Sequence, residues 1–245
     1  MPEHELWFTA LLNRYCAGLA NTLLGWVGLH AENPEKPWAN YVAMQVLVVA
    51  IVLVLFAVLR PRLSVDRPGK LQHCFEIIYG FLRGQAEDVV GHEGPRYVHL
   101  FSTIFLFILF CNLIGIIPGF ESPTMFAPVP LGCALVTFLY YNLMGCKAHG
   151  VGGYLAHFAG PIKVMAPLMI PIEIISHTGR LLSLTVRLYA NMFAGEQVTL
   201  VFLSLIPVAI PAIFMGLHVF VSFLQAFVFA LLTMIYVSSA VEHEH

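Results

Sequence analysis

A chain of 245 residues in which 59% are hydrophobic and only 11% charged departs from soluble composition, where about 45–50% apolar and about 25% charged residues are usual, and this points to lipid as its solvent. The net charge of -2 offers nothing to nucleic acid, and the sparse basic residues sit beside apolar runs, where they control topology. Five scattered cysteines (Cys16, Cys74, Cys111, Cys133 and Cys146) lack the close pairing of zinc, redox or haem sites and read as small apolar packing residues.

The pattern predicts an all-α integral membrane protein with about five membrane-embedded helices plus an amphipathic surface helix, ending in a long tilted helix hairpin. Residues 1–40 form an outer-side N-terminal segment. Its opening MPEHELWF is acidic and lacks the basic start of a cleaved signal peptide. The apolar stretch Cys16 to Leu29, at about 14 residues, is too short to span and is expected at an interface or packed on another segment.

Residues 41–59 read as the first transmembrane helix, a nearly unbroken apolar run ended by Arg60-Pro61-Arg62. With Arg67 and Lys70 nearby, the positive-inside rule puts this end on the cytoplasmic side of a bacterial membrane and the N-terminus outside. Residues 60–97 hold this inner basic segment and an amphipathic helix. From Leu71 to Val90, Leu71, Phe75, Ile78, Phe81 and Leu82 recur among His73, Glu76, Arg83, Glu87 and Asp88, a spacing suited to the membrane surface. Gly91-His92-Glu93-Gly94-Pro95 ends it.

Residues 98–161 read as a transmembrane pair. Val98 to Pro118 carries Asn112, a Gly/Pro outer loop runs from Gly115 to Pro130, and a return span from Val129 to about Met144 leads to Lys147, His149 and a Gly-rich inner turn, Gly150 to Pro161. Residues 162–240 are expected to form the tilted hairpin. Pro161, Pro167 and Pro171 crowd its start, and Pro207 and Pro211 mark the break between its helices. Segments of about 30 or more residues exceed the roughly 30 Å hydrocarbon layer when upright, so tilt or partial surface placement follows. In the tail, 241–245, His243-Glu244-His245 reads as solvated rather than metal-binding, since two imidazoles do not make a closed coordination shell.

The hairpin carries the chemistry. At helical pitch Glu173, Arg180, Arg187 and Asn191 fall within about 40° of one another, with Glu173 and Arg187 about 21 Å apart along the axis. Glu196 lies about 13.5 Å beyond Arg187 on nearly the opposite face, so a titratable carboxylate sits toward each end with the arginine between. An arginine at the centre of a span costs at least about 2.5–3.5 kcal/mol on insertion scales and stays protonated. It is therefore either a functional charge or half of an ion pair that locks two helices. Arg180, nearer the start, is a further candidate or an interface anchor.

His218, Ser222 and Gln225 share one face of the last helix. Together with Glu196 they suggest a protonatable pair on a polar water path, the alternative for His218 being an ordinary hydrogen-bonded helix residue. No nucleotide-binding P-loop, zinc-hydrolase signature or nucleophile elbow accompanies these groups.

The stretch Ser183-Leu184-Thr185-Val186-Arg187-Leu188-Tyr189-Ala190-Asn191-Met192-Phe193-Ala194-Gly195-Glu196 closely resembles the signature of the a subunit of bacterial F-type ATP synthases. The last helix, from His218 through Gln225-Ala226-Phe227 to Leu232-Thr233-Met234-Ile235-Tyr236, is similar to a second region of that family. The resemblance implies that Arg187 is the stator arginine, that Asn191, Glu196, His218 and Gln225 belong to the outer half-channel, with Ser222 as an added candidate, and that Glu173 belongs to the inner one. Arg180 stands where a lysine is common in related bacterial proteins, which leaves open whether it meets solvent, headgroups or the inner path.

The resemblance further implies a noncatalytic, proton-translocating subunit with no cofactor and no metal, placed multi-pass in the bacterial inner membrane with the C-terminus cytoplasmic. Its partners would be a ring of c subunits, a b-subunit peripheral stalk and, indirectly, the F1 head. An ion-coupled secondary transporter and a noncatalytic membrane scaffold are the competing classes. Weak internal repeat symmetry would favour the transporter, and tolerance of neutral replacements at Arg187, Glu196 and His218 the scaffold.

Overall fold

The computed structural model of the chain describes residues 5–26, 33–65, 67–117, 119–158, 166–205 and 209–241. Pro118, Pro161, Pro207 and the His243-Glu244-His245 tail, which the sequence singles out, lie outside these residues. Among the described residues the regular structure is helical throughout. Seven α-helices follow one another: α1 (Trp7–Trp26), α2 (Asn40–Leu59), α3 (Lys70–Val90), α4 (Gly94–Ile114), α5 (Pro128–Phe158), α6 (Ala166–Leu205) and α7 (Ala209–Val241). Among the described residues four stretches are long and apolar enough to cross a membrane: Asn40–Arg62, Pro128–Gly150, Ile213–Val241 and one within Lys70–Ile114. The chain is thus an all-α membrane protein with four apolar candidate spans. α6 is not among them.

In the N-terminal segment a 20-residue helix, Trp7–Trp26, takes in the apolar stretch expected from Cys16 to Leu29 as far as Trp26; residues 27–29 lie outside the described ones. Its polar positions are used to tie it down. Asn13, 8% exposed, donates from Nδ2 to Glu5 Oε1 (2.9 Å), and its Oδ1 accepts the Trp38 N–H (3.0 Å). The Trp38 indole N–H donates to the Cys16 carbonyl (3.0 Å), and Lys36 pairs with Glu5.

The Lys36 ammonium, and secondarily the Asn13 amide, hold the Glu5 carboxyl below its ordinary value of 4.5. A carboxyl depressed in the folded state stabilises it above the unfolded value and loses that contribution as pH falls through the folded one. The Trp38 amide is therefore expected to show weaker hydrogen-exchange protection at about pH 3 than at about pH 6. Equal protection at both would remove Glu5 from this clasp.

α2 ends where Pro61 cannot continue it, in a 3₁₀ turn at Arg60–Arg62. Gln72 then fixes the turn into α3: its Oε1 accepts the Ser64 N–H (3.0 Å) and its Nε2 donates to the Ser64 carbonyl (2.9 Å). α3 stops at Gly91, whose φ of 78° is open to glycine. The expected inner turn after the third span is instead a kink: α5 bends at Gly150, φ 72°, and helical structure resumes to Phe158. Glycine permits this because only a residue without Cβ enters that region freely.

The core lies between α3, α4, α5, α6 and α7. Leu82 and Ala86 of α3 meet Phe101, Phe105 and Ile108 of α4, Tyr141 of α5, Leu184, Leu188 and Met192 of α6, and Phe229 and Met234 of α7. α7 packs against α3, α4, α5 and α6. Ala226 and Ala230, one turn apart and both fully buried, keep its inward face small and let neighbouring helices approach closely. α2 contributes less: Val48 meets Cys111 and Ile114, while Leu53, Val54 and Phe56 face outward.

Candidate functional site, a charge and two polar clusters on the last helix pair

α6 has two unlike faces. Leu184, Leu188 and Met192, spaced one turn apart, are buried in the core. The opposite side exposes Ser176, Gly179, Ser183, Arg187, Ala190 and Ala194, so the arginine projects from a strip of small residues. Arg187 makes no ion pair or hydrogen bond with any described residue. Among those residues the helix-locking reading is therefore not realised.

One turn beyond, Asn191 Nδ2 donates to Gln225 Oε1 at 2.8 Å and joins α6 to α7. Along α7, His218 Nε2, Ser222 Oγ and Gln225 Nε2 are buried with no hydrogen-bond partner among the described residues. A buried polar atom left unsatisfied costs about 1–3 kcal/mol, so three on one helix face call for water. A cavity of about 280 Å³ opens beside His218, bordered also by Asn191, Gly195, Thr199, Phe214 and Leu217. At about 30 Å³ per molecule it has room for several waters.

Glu196 and His218 do not form an ion pair, although the sequence suggests a protonatable pair. The helix turn explains the separation. Gly195 is the residue that meets the imidazole, a Cβ built there lying 3.3 Å from Nδ1, whereas Glu196 interacts electrostatically with Glu121 of the α4–α5 loop. Glu121 escapes a reading of the sequence; its only signal there is a carboxylate in a Gly/Pro loop.

A hydrogen-bonded cluster from that loop closes the same end. Thr124 Oγ1 donates to Asn112 Oδ1 (2.6 Å), Asn112 Nδ2 to the Ser222 carbonyl (3.4 Å), and Ser122 Oγ to the Cys111 carbonyl (2.9 Å). Of these, the sequence marks Asn112 only as a polar residue in an apolar span, and it is fully buried.

At the other end of α6, Glu173 Oε1 lies 3.2 Å from His177 Nε2. Arg180 reaches α7, donating to Ser239 Oγ at 3.2 Å with its guanidinium 5.3 Å from the centre of the Tyr236 ring. Glu173, Arg180 and Arg187 thus share a helix face by sequence without pairing directly; Tyr154 feels both Glu173 and Arg180, and Tyr236 feels both arginines. Among the described residues no group of three His, Cys, Asp or Glu side chains gathers as a metal site.

Comparison with known proteins gives the family. The family model "ATP synthase A chain" matches residues 42–238. "ATP synthase subunit a" of Solibacter usitatus is 64% identical over 235 residues, 96% of this chain and 100% of that protein. The protein of the same description from Koribacter versatilis is 48% identical over 245 residues, covering both chains fully, and "ATP synthase subunit a 3" of Pelobacter propionicus is 42% identical over 84% of this chain and 90% of its own. A match across nearly the whole chain, on a helical membrane fold, means that the chain belongs to the ATP synthase A chain family, the noncatalytic, proton-translocating stator subunits of F-type ATP synthase in the bacterial inner membrane.

Proposed function

We propose that Arg187 is the fixed charge past which the carboxylates of a c-subunit ring move, and that the clusters on either side of it are the ends of two offset proton half-channels. The observation that carries this reading is the exposure of Arg187 on a strip of small residues with no partner of its own among the described residues. A charge at membrane depth is too costly to stand uncompensated, so its counter-charge belongs to another chain, and small neighbours allow a helix of that chain to come close.

The outer path comprises Asn191, Glu196, His218, Ser222 and Gln225, where unpartnered polar atoms and the cavity supply a place for water. The inner path comprises Glu173, with Arg180 at its edge. A proton from outside neutralises a ring carboxylate, which then enters lipid at much smaller desolvation cost. After nearly a full turn the site releases its proton near Glu173, and the resulting carboxylate is drawn past Arg187. At 4 Å and an effective dielectric of 20 that attraction is about 4 kcal/mol before desolvation. The same positive charge blocks direct passage between the paths. A membrane potential contributes about 2.3 kcal/mol per charge per 100 mV, so several translocations drive ATP formation in the F1 head.

The basic Arg60, Arg62, Arg67 and Lys70 place the α2–α3 connection in the cytoplasm, with the N-terminus outside and the C-terminus inside. α3, with Leu71, Ile77 and Phe81 exposed on one side and Arg83, Glu87 and Asp88 among its polar residues, serves as an amphipathic helix at the inner surface. The last two helices lie as a tilted pair along the ring, and a b-subunit stalk holds the chain against torque.

In a background with the native cysteines replaced, Ser183→Cys is expected to cross-link to a cysteine on the ring helix in assembled complexes, and Leu53→Cys on α2 is not. Cross-linking at Leu53 with none at Ser183 would place the ring on the wrong side of the molecule.

A further inference from the structure

The inner cluster contains a residue that the sequence leaves unmarked. His177 is 8% exposed, and both of its ring nitrogens are engaged: Nε2 with Glu173 Oε1 at 3.2 Å and Nδ1 with Tyr141 Oη at 2.7 Å. Tyr141 is 1% exposed, and Glu173 is partly open, its side chain 35% exposed. A carboxyl at the edge of the bundle is thus joined through a buried imidazole to a buried phenol on α5. Arg180, Tyr154 and Tyr236 also act electrostatically on Tyr141, and Tyr154 interacts with Glu173.

We propose that His177 is a positioning residue of the proton path, a neutral imidazole that keeps Glu173 hydrogen-bonded in both of its protonation states by exchanging tautomers against Tyr141. The inference rests on the reading of Glu173 as the inner proton group. When Glu173 is ionised, His177 donates from Nε2–H to the carboxylate, and Nδ1 accepts the Tyr141 hydroxyl proton. When Glu173 holds a proton, its O–H donates to a bare Nε2, and Nδ1–H donates to Tyr141 Oη.

Passing from the first state to the second, Nε2–H gives its proton to the carboxylate, the Tyr141 hydroxyl gives its proton to Nδ1, and the phenol oxygen takes up one proton from the aqueous path, so the imidazole carries one proton in both states and the three groups together gain one. A tyrosine hydroxyl suits this arrangement because it donates or accepts after a rotation about one bond. A lysine at position 177 would only donate, and an apolar residue would break the link between carboxyl and phenol, leaving Tyr141 with Asn142 and Glu173 with solvent. The arrangement lets Glu173 change charge without a helix moving, which suits a group that must cycle once for each proton.

The test uses the complete complex reconstituted in liposomes, with assembly and thermal stability measured beside the initial rate of ATP-driven proton pumping. His177→Gln retains one donor and one acceptor but exchanges them only by turning its whole amide. Expected are normal assembly and melting with pumping slowed roughly tenfold, below the 10²–10⁴ range of direct acid–base groups. Tyr141→Phe is expected to slow pumping less, since the contact between Glu173 and His177 remains.

A purely structural histidine would leave the assembled His177→Gln complex at the wild-type rate, and that result overturns the inference. Where His177→Gln does not assemble, a wild-type rate in Tyr141→Phe does so. Glu173→Gln separates the two levels: a wild-type rate there removes Glu173 from the inner path altogether, whereas a slow Glu173→Gln beside a wild-type-rate His177→Gln removes only His177.

Discussion

Replacement of Arg187 by alanine is expected to abolish ATP-driven proton pumping in reconstituted complexes while leaving assembly intact. The side chain lies on the exposed face of α6 and bonds to no described residue, so its removal creates no cavity and orphans no buried partner. On the proposed reading, what disappears is the attraction, about 4 kcal/mol before desolvation at 4 Å and an effective dielectric of 20, that draws an ionised rotor carboxylate past the stator, together with the barrier between the half-channels. Two measurements separate these effects. Pumping by the intact complex falls to background, and passive proton flux through membrane sectors stripped of the head rises or persists. Arg187→Lys preserves the charge without the planar, multi-donor geometry and is expected to recover little of the coupling. Normal pumping in an assembled Arg187→Ala complex would defeat the assignment.

Glu196→Gln is expected to slow proton uptake from the outer side while sparing assembly. Glu196 is half-buried near the electrostatic influence of Glu121, and its change to an amide keeps size and hydrogen bonding while removing the titrating group. The effect is best read as the initial rate of proton flux across an external pH series. In the wild type the rate follows the ionisation of the path, and in the variant that dependence flattens. An unchanged profile removes Glu196 from the relay. Because the structure separates Glu196 from His218, the double replacement with His218→Gln is informative: loss greater than either single change indicates parallel contributions along a shared water path.

The contrast between α2 and α1 illustrates what the sequence makes legible. α2 is announced by an unbroken Val/Leu/Ile run and ended by a proline, both local signals. α1 is interrupted by Asn13 and Arg14, and what secures it is a set of long-range hydrogen bonds from Glu5, Lys36 and Trp38 that no local pattern encodes. The kink at Gly150 is similar: a glycine in a Gly-rich stretch reads as a turn, and only packing decides that helix continues beyond it.

The site divides along the same line. Arg187 stands out because its cost in lipid is a property of the residue itself, and the spacing of Glu173 and Glu196 from it follows from helix geometry. The Asn191–Gln225 bridge, the Asn112–Thr124 bond and the His177–Tyr141 bond each join distant parts of the chain. His177 in particular is one more histidine in a helical run until Tyr141, 36 positions earlier, is brought against it.

The two unlike faces of α6 also divide the consequences of mutation. Changes at Leu184, Leu188 or Met192 alter the packing of the subunit itself, and a melting experiment on the isolated protein registers them. Ser183, Ala190 and Ala194 are exposed, so changes there leave that core untouched. If this face meets the ring as proposed, a bulky side chain there is expected to leave folding assays unchanged and to appear as friction in the turning complex, a class of heritable defect that stability screening does not register.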